Sequence, residues 1–97
     1  MFLGMNSTVI CGDFNAEPES DVLELARSRG LVDAYASVAD ACTCNANGKK
    51  KRSDYILCTN DFVPIPSPLP AIDDDTPLPS EVEPSDHIPI EARLERR

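Results

Sequence analysis

Eight of the nine prolines fall between positions 64 and 89. Proline has no backbone N–H and its φ is locked, so it breaks a helix and withholds a donor from a β-ladder. Residues 59–85 therefore read as a long irregular loop dominated by turn chemistry, and an ordered core has to come from the rest of the chain. With 97 residues in all, that leaves one small domain, or part of a larger one, with a modest core. Aromatic residues make up 5% and Trp is absent, so the large side chains that dominate strong cores are scarce.

The elements outside the loop are short. Ser7–Cys11 is a β-branched, apolar run that stops at Gly12-Asp13, a turn signal, and reads as a buried strand. Glu17-Pro18-Glu19-Ser20-Asp21 announces a helix over about 19–29. Pro18 suits its first position, and Glu19 and Asp21 suit the positive end of its dipole. Val22, Leu23, Leu25 and Ala26 supply the apolar face, and Gly30 is placed for a left-handed C-cap. Leu31–Val38 reads as a short extended or turn-like piece packing back on the sheet. Asn47-Gly48 is a hairpin signal. Asp54–Cys58 reads as a second buried strand. Ile88, Ile90, Ala92 and Leu94 alternate with Pro89, Glu91, Arg93 and Glu95, the period of a half-buried strand. Strands interleaved with a helix point to an α/β fold.

The net charge of −8 argues against a protein that coats nucleic acid, because such binding rests on neutralising phosphates. It leaves room for a metal-assisted phosphodiesterase, in which a cation offsets local acids. No apolar run approaches the length of a membrane span. The N-terminus lacks the basic and apolar regions of a signal peptide, so the expectation is an intracellular, cytoplasmic protein with reduced thiols at Cys11, Cys42, Cys44 and Cys58. Lys49-Lys50-Lys51-Arg52 reads as a solvated basic turn, as a phosphate-backbone contact or as a nuclear address. Asp73-Asp74-Asp75 lacks the spacing and glycine of a calcium loop and reads as solvated.

Three polar clusters each abut an expected strand. Asp13 and Asn15 follow Ser7–Cys11 and, two apart in extended backbone, share a face. A carboxylate there can take a proton from water or lie near a metal, and the amide can donate to a phosphoryl oxygen. The pair equally suits an Asx-turn before a helix. Asp54 opens an apolar strand, which is costly for a carboxylate unless a partner such as imidazole or guanidinium binds it. Asp86 and His87, the only histidine, precede the last strand. Strand ends are where open α/β sheets place their sites.

Together these segments resemble one family. Val9-Ile10-Cys11-Gly12-Asp13-Phe14-Asn15 is similar to the GDxN motif of the endonuclease/exonuclease/phosphatase superfamily, which has a DNase-like fold. Arg52-Ser53-Asp54-Tyr55-Ile56 resembles its R-x-DYI motif, and Ser85-Asp86-His87-Ile88-Pro89 its SDH-x-P motif. The Pro84-Ser85-Asp86-His87 form, with a proline-rich loop before it, is most like the poly(A) deadenylase branch, with its nocturnin-like and 2′-phosphodiesterase-like members. The resemblance implies that Asp13 orients or deprotonates the attacking water and that Asn15 positions it. It implies that Asp86, with Asp13, supports a Mg2+ or Mn2+ ion. His87 would stabilise a phosphate oxygen, and Asp54 would hold and polarise His87.

That family's catalytic domain is a two-sheet sandwich more than twice this length, and its N-terminal half supplies a metal-binding glutamate with no counterpart here. The chain therefore resembles the C-terminal half of such an enzyme, an incomplete α/β sandwich spanning 1–97. The expected function is a fragment of a magnesium-dependent phosphoesterase whose full form acts on RNA as a 3′-exonuclease or phosphodiesterase. The competing expectations are a catalytically inactive module of the same fold and a phosphatase of phosphoinositide-type small phosphoesters.

Overall fold

A computed structural model describes residues 7–46, 48–80 and 85–97. It places β1 at Val9–Asp13, α1 at Asp21–Ser28, β2 at Leu31–Asp33, β3 at Cys44–Ala46 and β4 at Lys49–Lys51. β5 runs over Asp54–Thr59, β6 over Phe62–Pro66 and β7 over Ala92–Arg96. Among the described residues the chain is mostly β with one short helix, where the sequence reading is an incomplete α/β sandwich. The strands form three small antiparallel sheets: β1-β5-β2, β3-β4 and β6-β7. Such small open sheets are consistent with part of a larger fold.

β5 is the central strand of the first sheet. Its apolar run is continuous because both of its faces are covered. Tyr55 and Leu57 pack with Leu23 of α1 and Leu31 of β2. Ile56, pointing the other way, packs against Ala34, Tyr35 and Ala41. The Tyr35 hydroxyl lies 2.7 Å from the Ser67 carbonyl and 2.8 Å from the Glu91 carbonyl, which ties the third sheet to this second cluster. Residues 31–38 do pack back on the sheet, as β2 and a following turn.

Three readings of the sequence need correction. β1 was expected to be buried, yet every residue in it is exposed, with Val9 at 45% and Ile10 at 42%. It is an edge strand, paired with β5 on one side only, and α1 covers the β2 side of the sheet. An apolar β-branched run specifies a strand but not what covers it. The helix begins later than expected, because Ser20 caps it by accepting from the Leu23 N–H at 3.4 Å. Pro18 stands in the turn before. Of the expected apolar face only Leu23 is fully buried, while Val22 and Leu25 are exposed. Gly30 takes the left-handed φ of 85° just past the helix.

The third correction concerns the proline-rich stretch, whose start is a strand. β6 pairs with β7 from Phe62↔Arg96 to Pro66↔Ala92. Ladder bonds join Arg97 to Asp61 and Ser67 to Glu91. The inward-bonding positions of β6 are therefore the odd ones, and Pro64 and Pro66 fall on the outward edge, where the missing N–H costs no ladder bond. Residues 67–80 have no helix or strand, and 81–84 lie outside the described residues. Burial alternates from Ile88 as expected, but pairing starts only at Ala92. The basic run is likewise a strand, β4, joined to β3 by a hairpin pairing Ala46 with Lys49. Gly48, at φ 74°, supplies the left-handed position that such a turn requires.

This proline parity has a direct test. Ile65→Pro removes an inward donor and should cost about 1–3 kcal/mol, whereas Pro64→Ala should leave chemical denaturation nearly unchanged. Equal effects of the two substitutions would contradict the register.

Candidate functional site

The site gathers where β1 and β5 meet the segment before residue 88. Asp13 ends β1 and pairs in register with Asp54, the first residue of β5. Just before Asp13, Gly12 adopts φ 150°, a conformation that side-chain-bearing residues rarely take. After it, the Asn15 N–H donates to Asp13 Oδ1 at 2.8 Å, and Asn15 sits at a left-handed φ of 52°. The Asx-turn reading of this pair is thus realised. The Phe14 N–H donates to the Ser53 carbonyl at 2.7 Å, holding the turn against the start of β5.

His87 reaches the same place through a backbone bridge to Cys44 of β3. The Ile88 N–H donates to the Thr43 carbonyl at 2.7 Å, and the Asn45 N–H to the Asp86 carbonyl at 3.0 Å. The imidazole Nδ1 lies 2.7 Å from Asp54 Oδ2. An ionised carboxylate only accepts, so Nδ1 carries the proton and Nε2 is turned to the other side. There it has Asp13 Oδ2 at 3.7 Å and Asp86 Oδ1 at 3.9 Å. These distances are too long for hydrogen bonds but short enough for attraction once the ring is charged. Asp54 is three-quarters or more shielded, whereas Asp13 and Asp86 are about half exposed.

Asp54 is itself held. Thr43, almost fully buried, donates its hydroxyl to Asp54 Oδ2 at 2.6 Å and accepts from the Ser53 and Asp54 N–H groups at 3.2 Å each. Sequence reasoning did not find Thr43. It lies in no motif, and its hydroxyl acquires a task only when the residue before β3 meets the start of β5. Arg52 does different work from Asp54. It pairs with Asp33 at 2.5 Å, both side chains 11% exposed, and its guanidinium lies 4.5 Å from the centre of the Tyr55 ring. The Tyr55 hydroxyl in turn lies 2.8 Å from the Ala16 carbonyl. Arg52 thus anchors the strand start and the turn after β1 rather than entering the site.

A cleft of about 320 Å3 opens on this arrangement, lined by Asn15, Glu17, Cys44, Lys51, Asp86 and His87 among others. The five residues expected at the site therefore come together: Asn15, Asp86 and His87 line the cleft, Asp54 bonds His87, and Asp13 faces its Nε2. Burial raises the Cys44 thiol above its ordinary pKa, which keeps it protonated and a poor nucleophile. All four cysteines are free thiols.

Two carboxylates and an imidazole here could hold a metal ion. Asp13, Asp54 and His87 offer ligand atoms all within 4.8 Å of one another. Asp54 Oδ2, however, is already engaged by His87 and Thr43. Asp86 is not part of that group; its Oδ1 lies 3.9 Å from His87 Nε2.

The Asp54 hydrogen bond, as the largest cause, raises the His87 pKa from its ordinary 6.5, and the charges of Asp54, Asp13 and Asp86 add to it against partial burial. A raised histidine stabilises the fold most below its unfolded value. That contribution is lost as pH rises through the folded value. Thermal unfolding should therefore show stability falling above about pH 6.5. Asp54→Asn should flatten that slope, and an unchanged slope in the variant would sever the link. Thr43→Val should cost about 1–3 kcal/mol in denaturant unfolding, because it strips a buried carboxylate and two N–H groups of a partner. A change below about 0.5 kcal/mol would show that the hydroxyl is dispensable.

A model of the Endonuclease/Exonuclease/phosphatase family matches residues 4–87. Neither the comparison with curated proteins nor the comparison with solved structures found a match.

Proposed function

Because the chain belongs to the Endonuclease/Exonuclease/phosphatase family, we propose that it carries the histidine side of a metal-assisted phosphoesterase site. The observation that supports this most is the 2.7 Å bond from His87 Nδ1 to Asp54. It fixes the ring, favours its charged form and leaves Nε2 pointing at the cleft. A cationic donor aimed at a developing phosphoryl charge is the central requirement of in-line displacement. Asp13, beside Nε2, is the group to orient or deprotonate the attacking water, with Asn15 positioning it. Asp13 and Asp86 would hold the Mg2+ or Mn2+ ion, which supplies charge neutralisation at the phosphate oxygens when bound.

The proposed substrate is a phosphodiester of nucleic acid, RNA foremost, supported by the basic strand β4 beside the cleft. The narrower assignment, to a deadenylase-like 3′-exonuclease, rests only on the Pro84-Ser85-Asp86-His87 form and the proline-rich stretch before it. The absence among the described residues of a helix long and apolar enough to cross a membrane does not bear on substrate choice.

We further propose that the 97 residues do not suffice for turnover. Asp13 and Asp86 are half exposed, so a phosphate between them would meet water, which screens the site's charges. The glutamate that the resemblance assigns to the family's other half has no counterpart, and the bare face of β1 is suited to packing against a further layer. Supplying the N-terminal half of a related enzyme should therefore generate magnesium-dependent hydrolysis of an RNA oligonucleotide, while the chain alone stays near background. His87→Ala should lower the complemented rate about 100- to 1000-fold. Complementation that is insensitive to His87→Ala, or absent altogether, would favour an inactive module. Robust turnover by the chain alone would show that it is sufficient.

A further inference from the structure

Lys51 stands out from the rest of the basic run. Lys50 is paired with Asp40 at 2.8 Å and Arg52 with Asp33. Lys51 has no ion-pair partner among the described residues, and it is exposed. It is also the one lysine or arginine lining the His87 cleft. That cleft is otherwise acidic, with Glu17 and Asp86 on its wall.

The register explains why Lys51 is there. Lys51 pairs with Cys44 across one edge of β3, and Cys44 bridges to His87 across the other. The three residues thus form one row across three antiparallel segments, and directly opposed residues in such a row point to the same face. At the spacing of adjacent strands, the Lys51 and His87 backbones stand about 9–10 Å apart. Lys49 is two residues along on the same face, about 7 Å further toward the hairpin tip. On the far side of Lys51 a second cleft of about 450 Å3 opens, also lined by Glu17 and by Tyr35, Val38 and Asp40. Lys51 therefore marks the boundary between the two clefts.

We propose that Lys51 is a specificity-determining residue that holds the phosphate neighbouring the one under attack. The inference rests on the reading of His87 as the group facing the reacting phosphate. The row places an imidazole and an ammonium on one face, on backbones about 9–10 Å apart, which is wider than one phosphate group. A strand carrying phosphates at successive nucleotides reaches both, and its next residue enters the second cleft. A phosphomonoester held at His87 offers no second phosphate to Lys51. The flexible four-carbon stem of lysine lets the ammonium follow a polymer backbone without fixing its sequence. The site so built prefers an oligonucleotide to a mononucleotide and has no built-in preference among bases.

The test is binding by the full 97-residue chain in magnesium, followed by NMR titration. One probe is a short single-stranded oligonucleotide with phosphorothioate linkages that resist cleavage, and the other is a nucleoside monophosphate. Lys51→Ala should weaken the oligonucleotide about three-fold and reduce the slope of log K against log salt by about 0.7, while leaving the monophosphate unchanged. Lys51→Arg should restore both the affinity and the slope. Equal loss for the two probes would show that Lys51 contacts the reacting phosphate itself, and no loss for either would show that it is a solvated surface lysine. Both results overturn the proposal while leaving the His87 reading intact. If the unmodified chain binds neither probe, the His87 reading fails and the role of Lys51 falls with it.

Discussion

A carboxylate at the head of a buried strand has to be paired, and Asp54 is paired by His87 and Thr43. Leaving such a group without partners would cost several kcal/mol. Satisfying it requires the residue before β3 to reach the start of β5, so that the Thr43 hydroxyl arrives, and requires the chain to return at residue 87. The irregular segment between β6 and β7 is thereby closed at both ends. The Tyr35 hydroxyl lies between two of its carbonyls, and the Asn45 amide nitrogen sits within 2.7–3.1 Å of the carbonyls of Asp73, Asp74 and Thr76. Contacts from Tyr35 and Asn45, distinct from those that satisfy Asp54, thus hold the described part of the proline-rich stretch.

The site's chemistry follows from unequal burial of three carboxylates. Asp54 is shielded and committed to the ring, while Asp13 and Asp86 are half open to solvent and too far for bonds to Nε2. Three negative groups round one imidazole favour its charged form, and the two open ones suit a divalent cation. A phosphate entering without that cation would meet net repulsion. Such a charge pattern accords with a family whose enzymes use divalent metals. The exposed Val9 and Ile10 of β1 leave one edge of the first sheet without cover among the described residues.

The residues of the site were legible because each signal is local. Asp13-Phe14-Asn15, Asp54-Tyr55 and Asp86-His87 each stand beside an apolar run; the first two lie at strand ends, and His87 is placed by its isolated bridge to Cys44. What could not be read depends on pairing between distant segments. Pro64 and Pro66 look like ladder breakers until β7 is laid alongside and both fall on the outer edge. Thr43 is one of several small polar residues until it meets the start of β5. β1 carries the composition of a buried strand, but its cover is a property of the layers around it. Lys51 differs from Lys50 only through a register set by the hairpin and by the bridge from Cys44 to His87.

The central claim is that Asp54 fixes the orientation and tautomer of His87, and the most direct measurement is the 15N NMR spectrum of the imidazole above its pKa. The neutral ring should carry its proton on Nδ1, with that proton strongly deshielded by the bond to Asp54, and should lose this signature in Asp54→Asn. A neutral ring protonated on Nε2, or a spectrum indifferent to the substitution, would contradict the account.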